Sequence, residues 1–398
     1  MEESLVMIEP GEKQISLTDI FLTFFKMGLT AFGPAMMAEA KKNIVKRKKW
    51  LSEQEFLNGL ALAQFLPGAT FVTLTVFMGY RIRRLAGALA SFLGFLLPPT
   101  ALMVILSYLY FRYSGLPLVD SAFKGLEAVV VALIANAVLD IGKSVLKGWK
   151  AIAIAVIALG VAWLNINIFL ILLLVATLSI VLYQPWKTAI TESPVNMPAV
   201  HFNTREIIIT LAVAAVIALL FTFNPLLLQL ESVFFRIGLL VFGNGFTMIP
   251  LIQQEVVNVH HWLNLNQFTV GIALGQVTPG PIVITATFVG YKVAGLWGAT
   301  AATISIFAPC FILVMLVMPV YTKIKENPWV KATFKGILAS FVGLMAIVLW
   351  GMAWHSLTDI VTIGLALAAF TVLRLTKIDV LWVVLGSTGI YLLIEKLF

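Results

Sequence analysis

The sequence predicts an all-α polytopic membrane protein made of two homologous helical repeats of inverted topology, with broken or re-entrant helices meeting near the bilayer midplane. Three observations carry this expectation. Of the 398 residues, 60% are apolar and only 12% charged, against about 45–50% and about 25% in soluble domains. The chain matches itself at a shift of roughly 210 residues, and its basic residues are shared unequally between the matching loops. At about 20 apolar residues per spanning helix there is room for on the order of 11–13 crossings and for almost no extramembrane domain. A soluble enzyme, a nucleic-acid-binding domain and a secreted scaffold are excluded.

The repeat rests on Gly, Pro and Gln coincidences that shared hydrophobicity does not produce. Phe25, Gly28, Leu29, Phe32 and Gly33 recur as Phe235, Gly238, Leu239, Phe242 and Gly243. Trp50-Leu51 and Phe56 return as Trp262-Leu263 and Phe268, and Gln64 with Pro67-Gly68 returns as Gln276 with Pro279-Gly280. Gly79-Tyr80, Pro98 and Phe123-Lys124-Gly125 match Gly290-Tyr291, Pro309 and Phe334-Lys335-Gly336.

In chain order, residues 1–19 form a polar, acidic N-terminal segment unlike the basic start of a cleavable signal, so the first apolar segment is expected to stay in the mature protein. Repeat one spans 20–183. It opens with a helix at 20–38 broken at Gly33-Pro34, then a polar stretch, then an apolar pair, 53–65 and 69–80, split at Pro67-Gly68. Helices near 85–111 and 121–142 follow, and the apolar run 151–183 reads as two short spans bent near Asn165 and Asn167. Residues 184–229 hold a linker with Pro185, Pro194 and Pro198 and an extra helix, 207–223, without a counterpart. Repeat two, 230–398, repeats the order as 230–250, 266–277 with 282–292, 295–320, 330–352, and a last pair at 357–373 and 379–395.

Loop charge orients the halves. Lys41, Lys42, Lys46, Arg47, Lys48 and Lys49 lie between the first helix and the split pair, whereas the counterpart, 251–264, has no Lys or Arg. The positive-inside rule places the first loop in the cytoplasm and the second outside. The crossing count does not close on this reading. Re-entry of the pair at 53–80, a double crossing by 151–183 and a single crossing by 207–223 together make the halves parallel. Inversion requires one of these to give way, through a single crossing for 151–183 or a broken but spanning helix across 53–80.

Chemistry is expected at the breaks. Backbone interrupted at mid-depth is tolerated only where protein packs it or a cavity is lined by it, and paired interruptions in the two halves point to a transport site. Each break starts a new helical segment whose first N–H groups lack intrahelical partners and carry partial positive charge, which suits an anion. The candidate substrate-binding residues are Gln64, Pro67, Gly68, Thr70 and Thr73 with Gln276, Thr278, Pro279, Gly280, Thr285 and Thr287. Gly33 and the run Gly243-Asn244-Gly245 join them as the tips of the other breaks, where close helix packing is the competing explanation.

Basic residues also recur, as Lys26 with Arg236, Arg81 with Lys292, and Lys124 with Lys335. Symmetry mates in an inverted repeat lie on opposite sides, so charge asymmetry does not account for both members. Lys26 and Arg236, inside apolar runs, are taken as charge compensation for an anion. Acidic residues do not recur, and Glu127 reads as the salt-bridge partner of Lys124. His260, His261 and Trp262 read as an interfacial loop, and the single cysteine, Cys310, forms no disulfide within the chain. No metal-ligand set, cofactor motif or nucleotide-binding loop is found, so no enzyme activity and no cofactor are expected.

The stretches FGPAMMAEA (32–40), RKKWLSEQEFLNGLALAQFLPG (47–68), RIGLLVFGNGFTMIPLIQQEVV (236–257) and ALGQVTPGPIVITATFVGY (273–291) resemble the signature segments of the chromate ion transporter family. The resemblance covers about residues 20–350. It implies duplicated halves of opposite orientation and a secondary transporter exporting chromate across the cytoplasmic (inner) membrane, driven by membrane potential or an ion gradient. Sulfate or another oxyanion as cargo, and an anion channel, are the alternative readings. The expected partners are the oxyanion, the lipid bilayer and a second copy of the chain, with no nucleic acid.

Overall fold

The computed structural model describes residues 15–30, 32, 35–164, 166–187, 204–221, 224–240, 245–318, 321–376 and 378–397. Gly33, Gly243, Asn244, Asn165, Pro194 and Pro198, singled out above, lie outside the described residues.

Repeat one opens with α1 (Leu17–Thr30) and α2 (Ala35–Ala40), the latter prolonged by a π-helical turn over Lys41–Arg47. Next come α3 (Glu53–Phe65), α4 (Thr70–Tyr113), α5 (Pro117–Val145), α6 (Trp149–Trp163) and α7 (Ile168–Tyr183). The unmatched α8 (Thr204–Phe221) leads to repeat two. It begins with α9 (Pro225–Leu240) and α10 (Ile249–Gln253), again with a π-helical extension, Gln254–Val259. Then follow α11 (Leu265–Val277), α12 (Thr285–Val317), the short α13 (Tyr321–Glu326), α14 (Pro328–Ser356), α15 (Ile360–Leu375) and α16 (Val380–Leu397).

Local sequence sets these boundaries in both halves alike. Ser52 with Glu55 and Asn264 with Gln267 form reciprocal capping boxes that start α3 and α11, satisfying the helix's orphan N–H donors. Proline at the first turn starts α5 and α14, where its missing N–H costs nothing.

Neither α4 nor α12 is a single rod. Arg83 and Arg84 leave the helical region, Arg84 at φ 52°, and their mates Ala294 and Gly295 do the same, Gly295 at φ 58°. The chain doubles back there. Ser91 Oγ donates to the Thr75 carbonyl at 3.0 Å, and Thr287 and Thr303 hydroxyls meet at 2.7 Å. A Cβ on Gly79 or Gly290 would run into the carbonyl of Gly87 or Gly298, so the two arms touch backbone to backbone.

The first arm of α4 also folds back on α3, since Gly59 lies against Phe77, and Gly271 of α11 lies likewise against Phe288. The split pairs are therefore re-entrant. The same holds one unit earlier, for the segments 20–38 and 230–250, whose apolar character reads as one broken helix each. Thr30 Oγ1 bonds Glu39 at 3.0 Å, Gln229 Nε2 meets His260 Nδ1 at 3.1 Å, and Arg236 pairs with Glu255 at 3.4 Å. Residues early in α9 thus lie beside residues late in the π-helical extension. The limb that ends in Lys41–Arg47 is the segment whose charge reads in the sequence as a polar stretch.

This corrects the crossing count. All three assumptions thought to conflict hold, and a fourth, that 20–38 crosses, fails. The second arm of α4, then α5, α6, α7 and α8, cross in turn, an odd number, and repeat two begins on the opposite face. Opposite-sidedness is direct in the packing. Lys292, beside the α12 kink, stands 5.0 Å over the Phe111 ring at the far end of α4. Trp163 at the end of α6 and Trp186 just after α7 pack, with tilted rings, against Trp350 and Trp329 at opposite ends of α14. With the second arm of α12, α14, α15 and α16, the described helices, the short α13 apart, read as nine traversing segments and four re-entrant hairpins, of which α6, α7 and α15 are shorter apolar helices. α4, α5, α12 and α14 are individually long and apolar enough to span. Positive loops mark the face bearing Lys41–Arg47 as cytoplasmic.

One ion pair also differs from expectation. Lys124 Nζ pairs with Asp359 across to α15 at 3.0 Å, because Glu127 is turned into the protein, 8% exposed.

Candidate functional site

Described residues flanking all four hairpin breaks share the wall of one cavity. Phe32, at the tip between α1 and α2, pairs with Gly280, at the tip between α11 and α12, in an isolated parallel bridge. Gly280 (φ 104°) and its mate Gly68 (φ 118°) take a backbone conformation that side-chain-bearing residues avoid. Pro99 faces Gly280, and its mate Cys310 faces Gly68.

Around these tips lies a cavity of about 540 Å³, within the range of small-ligand sites. Symmetry mates share its wall. Gln64 and Gln276 both line it, as do Met36 and Met37 of one tip and Phe246 and Thr247 of the corresponding tip. The cavity therefore sits on the pseudo-twofold axis. Neither glutamine amide has a hydrogen-bond partner among the described residues.

The second limb of every hairpin starts at its tip, so four helix N-termini point at one place. Met36 and Met37, Thr70 and Phe71, Gly245 to Thr247, and Pro281 with Ile282 are their first turns, and all line the cavity. The capping positions Ala69 and Pro281 offer no side-chain acceptor. At roughly half an elementary charge per terminus, four would present about +2, with the C-terminal ends of α3 and α11 subtracting part of it. Among the described residues, no Lys, Arg, Asp or Glu lines the cavity. An anion here would be held by neutral donors.

Of the residues expected from sequence, Gln64, Thr70, Gly245, Gln276, Thr278 and Gly280 line the cavity. Pro67, Gly68 and Pro279 belong to the same tips but not to its wall. Thr73, Thr285 and Thr287 lie behind it, their hydroxyls bonded to Ala69 O at 3.2 Å, Ile282 O at 2.8 Å and Thr303 at 2.7 Å. Lys26 is on an exposed side of α1, and Arg236 is engaged with Glu255, itself buried, and with the Phe169 ring. Neither basic residue lines the cavity. Sequence reasoning missed Thr247 and Ser144, which do. Thr247 was within reach, two residues past the Gly245 break, whereas nothing in sequence marks Ser144 at the end of α5.

The two sides of the cavity differ. α11 packs against α5, α14 and α16, whereas its mate α3 makes no packing of that extent on α14, α5 or α7. Ile141, Ser144, Val145 and Leu338 wall the gap beside α3, at the cytoplasmic ends of α5 and α14. On the opposite face Phe288 packs with tilted rings against Tyr110 and Phe111, with ring centroids 5.5 and 4.8 Å away. The cavity wall thus extends to the Lys41–Arg47 side beside α3, whereas aromatic packing occupies the equivalent place on the other side. Outside the membrane-spanning segments, Asp359 accepts the Thr362 N–H and pairs with Lys124, which together hold its carboxyl below the usual carboxylate range.

Inverted repeats, discontinuous helices and a central cavity open to one side define a multi-pass membrane transporter. The chain belongs to the chromate transporter family, whose description matches residues 18–182 and again 228–392. It is 33% identical over 341 residues to an uncharacterized transporter of Methanocaldococcus jannaschii, covering 84% of this chain and 83% of that one. It is 29% identical over 384 residues to a chromate transport protein of Cupriavidus metallidurans, covering 94% and 92%. To a chromate transport protein of Pseudomonas aeruginosa it is 32% identical over 339 residues, covering 83% and 80%. No solved structure matches this chain.

Proposed function

We propose that this protein carries chromate outward across the cytoplasmic membrane as a secondary transporter, binding the dianion in the axial cavity. The convergence of four helix N-termini on a cavity without charged side chains carries the reading. Glutamine amides and Thr70 and Thr247 hydroxyls replace part of the ion's hydration, and the helix ends supply diffuse positive charge without a fixed cation that would retain the ion. The inward-open, outward-shut asymmetry supports alternating access, in which α3 closes onto α14 as α11 releases α5. Export of a dianion from an inside-negative cell is electrically downhill by about 2.3 kcal/mol per charge per 100 mV, so the potential alone is a sufficient drive.

Sulfate has nearly the same shape and charge, and neutral donors read only shape and charge, which favours sulfate as a second cargo. A channel is disfavoured by the closed outer side. Inside-out vesicles given labelled chromate or labelled sulfate under an imposed potential test all three. Saturable chromate uptake is expected. Accumulation of neither ion overturns the proposal, and non-saturating conductance replaces it with a channel.

A further inference from the structure

The pseudo-twofold assigns each residue walling the inward gap a mate on the opposite side. Leu60 of α3 corresponds to Ile272 of α11, Ile141 and Val145 of α5 correspond to Met352 and Ser356 of α14, and Leu338 of α14 corresponds to Glu127 of α5. The first member of each pair lines the open cavity. The second members, Ile272, Met352, Ser356 and Glu127, are all buried, whereas His355, the mate of Ser144, is exposed. Exchange of the two conformations therefore turns these buried residues into the wall of an outward vestibule.

Glu127 breaks the symmetry of that wall, placing a carboxyl where the inward side has leucine. An ionisable group at such depth is costly and marks a functional position unless it is paired. Its neighbour Lys124 is committed to Asp359 at 3.0 Å. Ser356, 3% exposed, faces Glu127 from α14, and its Oγ has no hydrogen bond of ordinary geometry. A carboxyl and a hydroxyl thus lie side by side in a wall that is buried in this conformation.

Resting on the transport reading above, we infer that Glu127 is a proton-binding site serving as an outer-side gate. In the outward-open form it loses its proton to the external solvent, and the resulting carboxylate repels the released dianion. Returning to the inward-open form reburies the side chain, which requires a proton to be taken back from the outer side. External acidity then sets how fast the empty carrier resets. Other titratable groups near it are Lys124 and Asp120 on its own helix, Tyr110 from α4, Asp359 ahead of α15, Tyr391 on α16 and His355 beside Ser356; α11 brings none. Lys124 and Asp359 neutralise each other.

Chromate uptake into inside-out vesicles, with only the lumenal pH varied from 6 to 8, tests the gate, because the lumen is the outer side. The parent is expected to slow as the lumen becomes alkaline, and Glu127→Gln to lose that dependence while His355→Gln keeps it. Glu127→Leu, which copies the mate Leu338, is the second variant should Glu127→Gln accumulate poorly. A parent without lumenal pH dependence, or a Glu127→Gln or Glu127→Leu profile that follows the parent, overturns the inference. Modification of the purified protein by dicyclohexylcarbodiimide, which attacks protonated carboxyls in apolar surroundings, provides a readout independent of cargo. Label located at Glu127 by mass spectrometry and fading with rising pH is expected, and its absence at every pH overturns the assignment even if neither oxyanion is transported.

Discussion

Replacing Gln276 by Glu keeps the size of a side chain on the cavity wall and gives it a unit charge. Two unit charges about 4 Å apart interact by about 1 kcal/mol in bulk water and about 4 kcal/mol at an effective dielectric near 20. A dianion doubles these figures, to about 2 and about 8 kcal/mol. Gln276→Ala, by contrast, removes only a hydrogen bond to a charged ligand, about 1.5–3 kcal/mol. Since about 1.4 kcal/mol is a factor of ten, the Glu variant should bind chromate at least about 30-fold more weakly than the Ala variant. Acidifying the cytoplasmic side until the new carboxyl protonates should recover most of that difference. KM for chromate in inside-out vesicles, with protein abundance measured in parallel, reads both effects, and Gln64→Glu should behave as its mate does. If Gln276→Glu and Gln276→Ala share one KM, the anion does not approach this wall and the axial cavity is not its site.

Gly280→Ala puts a Cβ at φ 104° and 3.1 Å from Pro99, a strain of about 1–3 kcal/mol, so transport should fall several-fold at near-normal abundance; full activity would mean the tip tolerates a side chain. In a background lacking Cys310, Val145→Cys should react with an impermeant thiol reagent from the cytoplasmic side, while its mate Ser356→Cys should stay protected from both sides until chromate turnover begins. Lys26→Gln should leave KM for chromate within about twofold because the residue is outside the cavity, whereas Arg236→Gln should destabilise the protein by leaving the buried Glu255 with His260 alone, a loss that Glu255→Gln should relieve in thermal melts. The Asp359 carboxyl is held below its usual range, so its contribution to stability is present above the unfolded value near 3.9 and is lost as pH falls through the lower folded value. Asp359→Asn should therefore lower the melting temperature at neutral pH and narrow its gap to the parent in acid.

The duplication was legible because Gly79, Pro98, Gln64 and Pro67-Gly68 recur in register, and such residues recur only where backbone geometry repeats. The breaks identified the cavity region, and Gln64 and Gln276 were found from their offset before each Pro-Gly. The first hairpin was not legible. Its inbound limb, Leu17–Thr30, is as apolar as a short span, and its outbound limb carries Lys41, Lys42, Lys46 and Arg47, which hydropathy reads as a loop. Only packing between Thr30 and Glu39, or Arg236 and Glu255, shows that the chain returns to the face it entered from. Lys26 and Arg236 misled for a related reason. Recurrence shows that a position is equivalent in both halves, but not whether it faces the axis or the lipid.

α8 has no partner in the repeat, and Glu206 near its start is fastened to Tyr80 at 2.7 Å and to Arg84 at 3.5 Å on the cytoplasmic side. Repeat one begins and ends on the same face, so a second copy fused directly behind it would enter from that face too, and the two would be parallel. A single 18-residue helix, long enough for about 27 Å of rise, is the smallest insertion that turns a tandem duplication into an inverted one. The opposite orientation of the halves thus rests on the odd parity of α8, which Glu206 fastens at its cytoplasmic end.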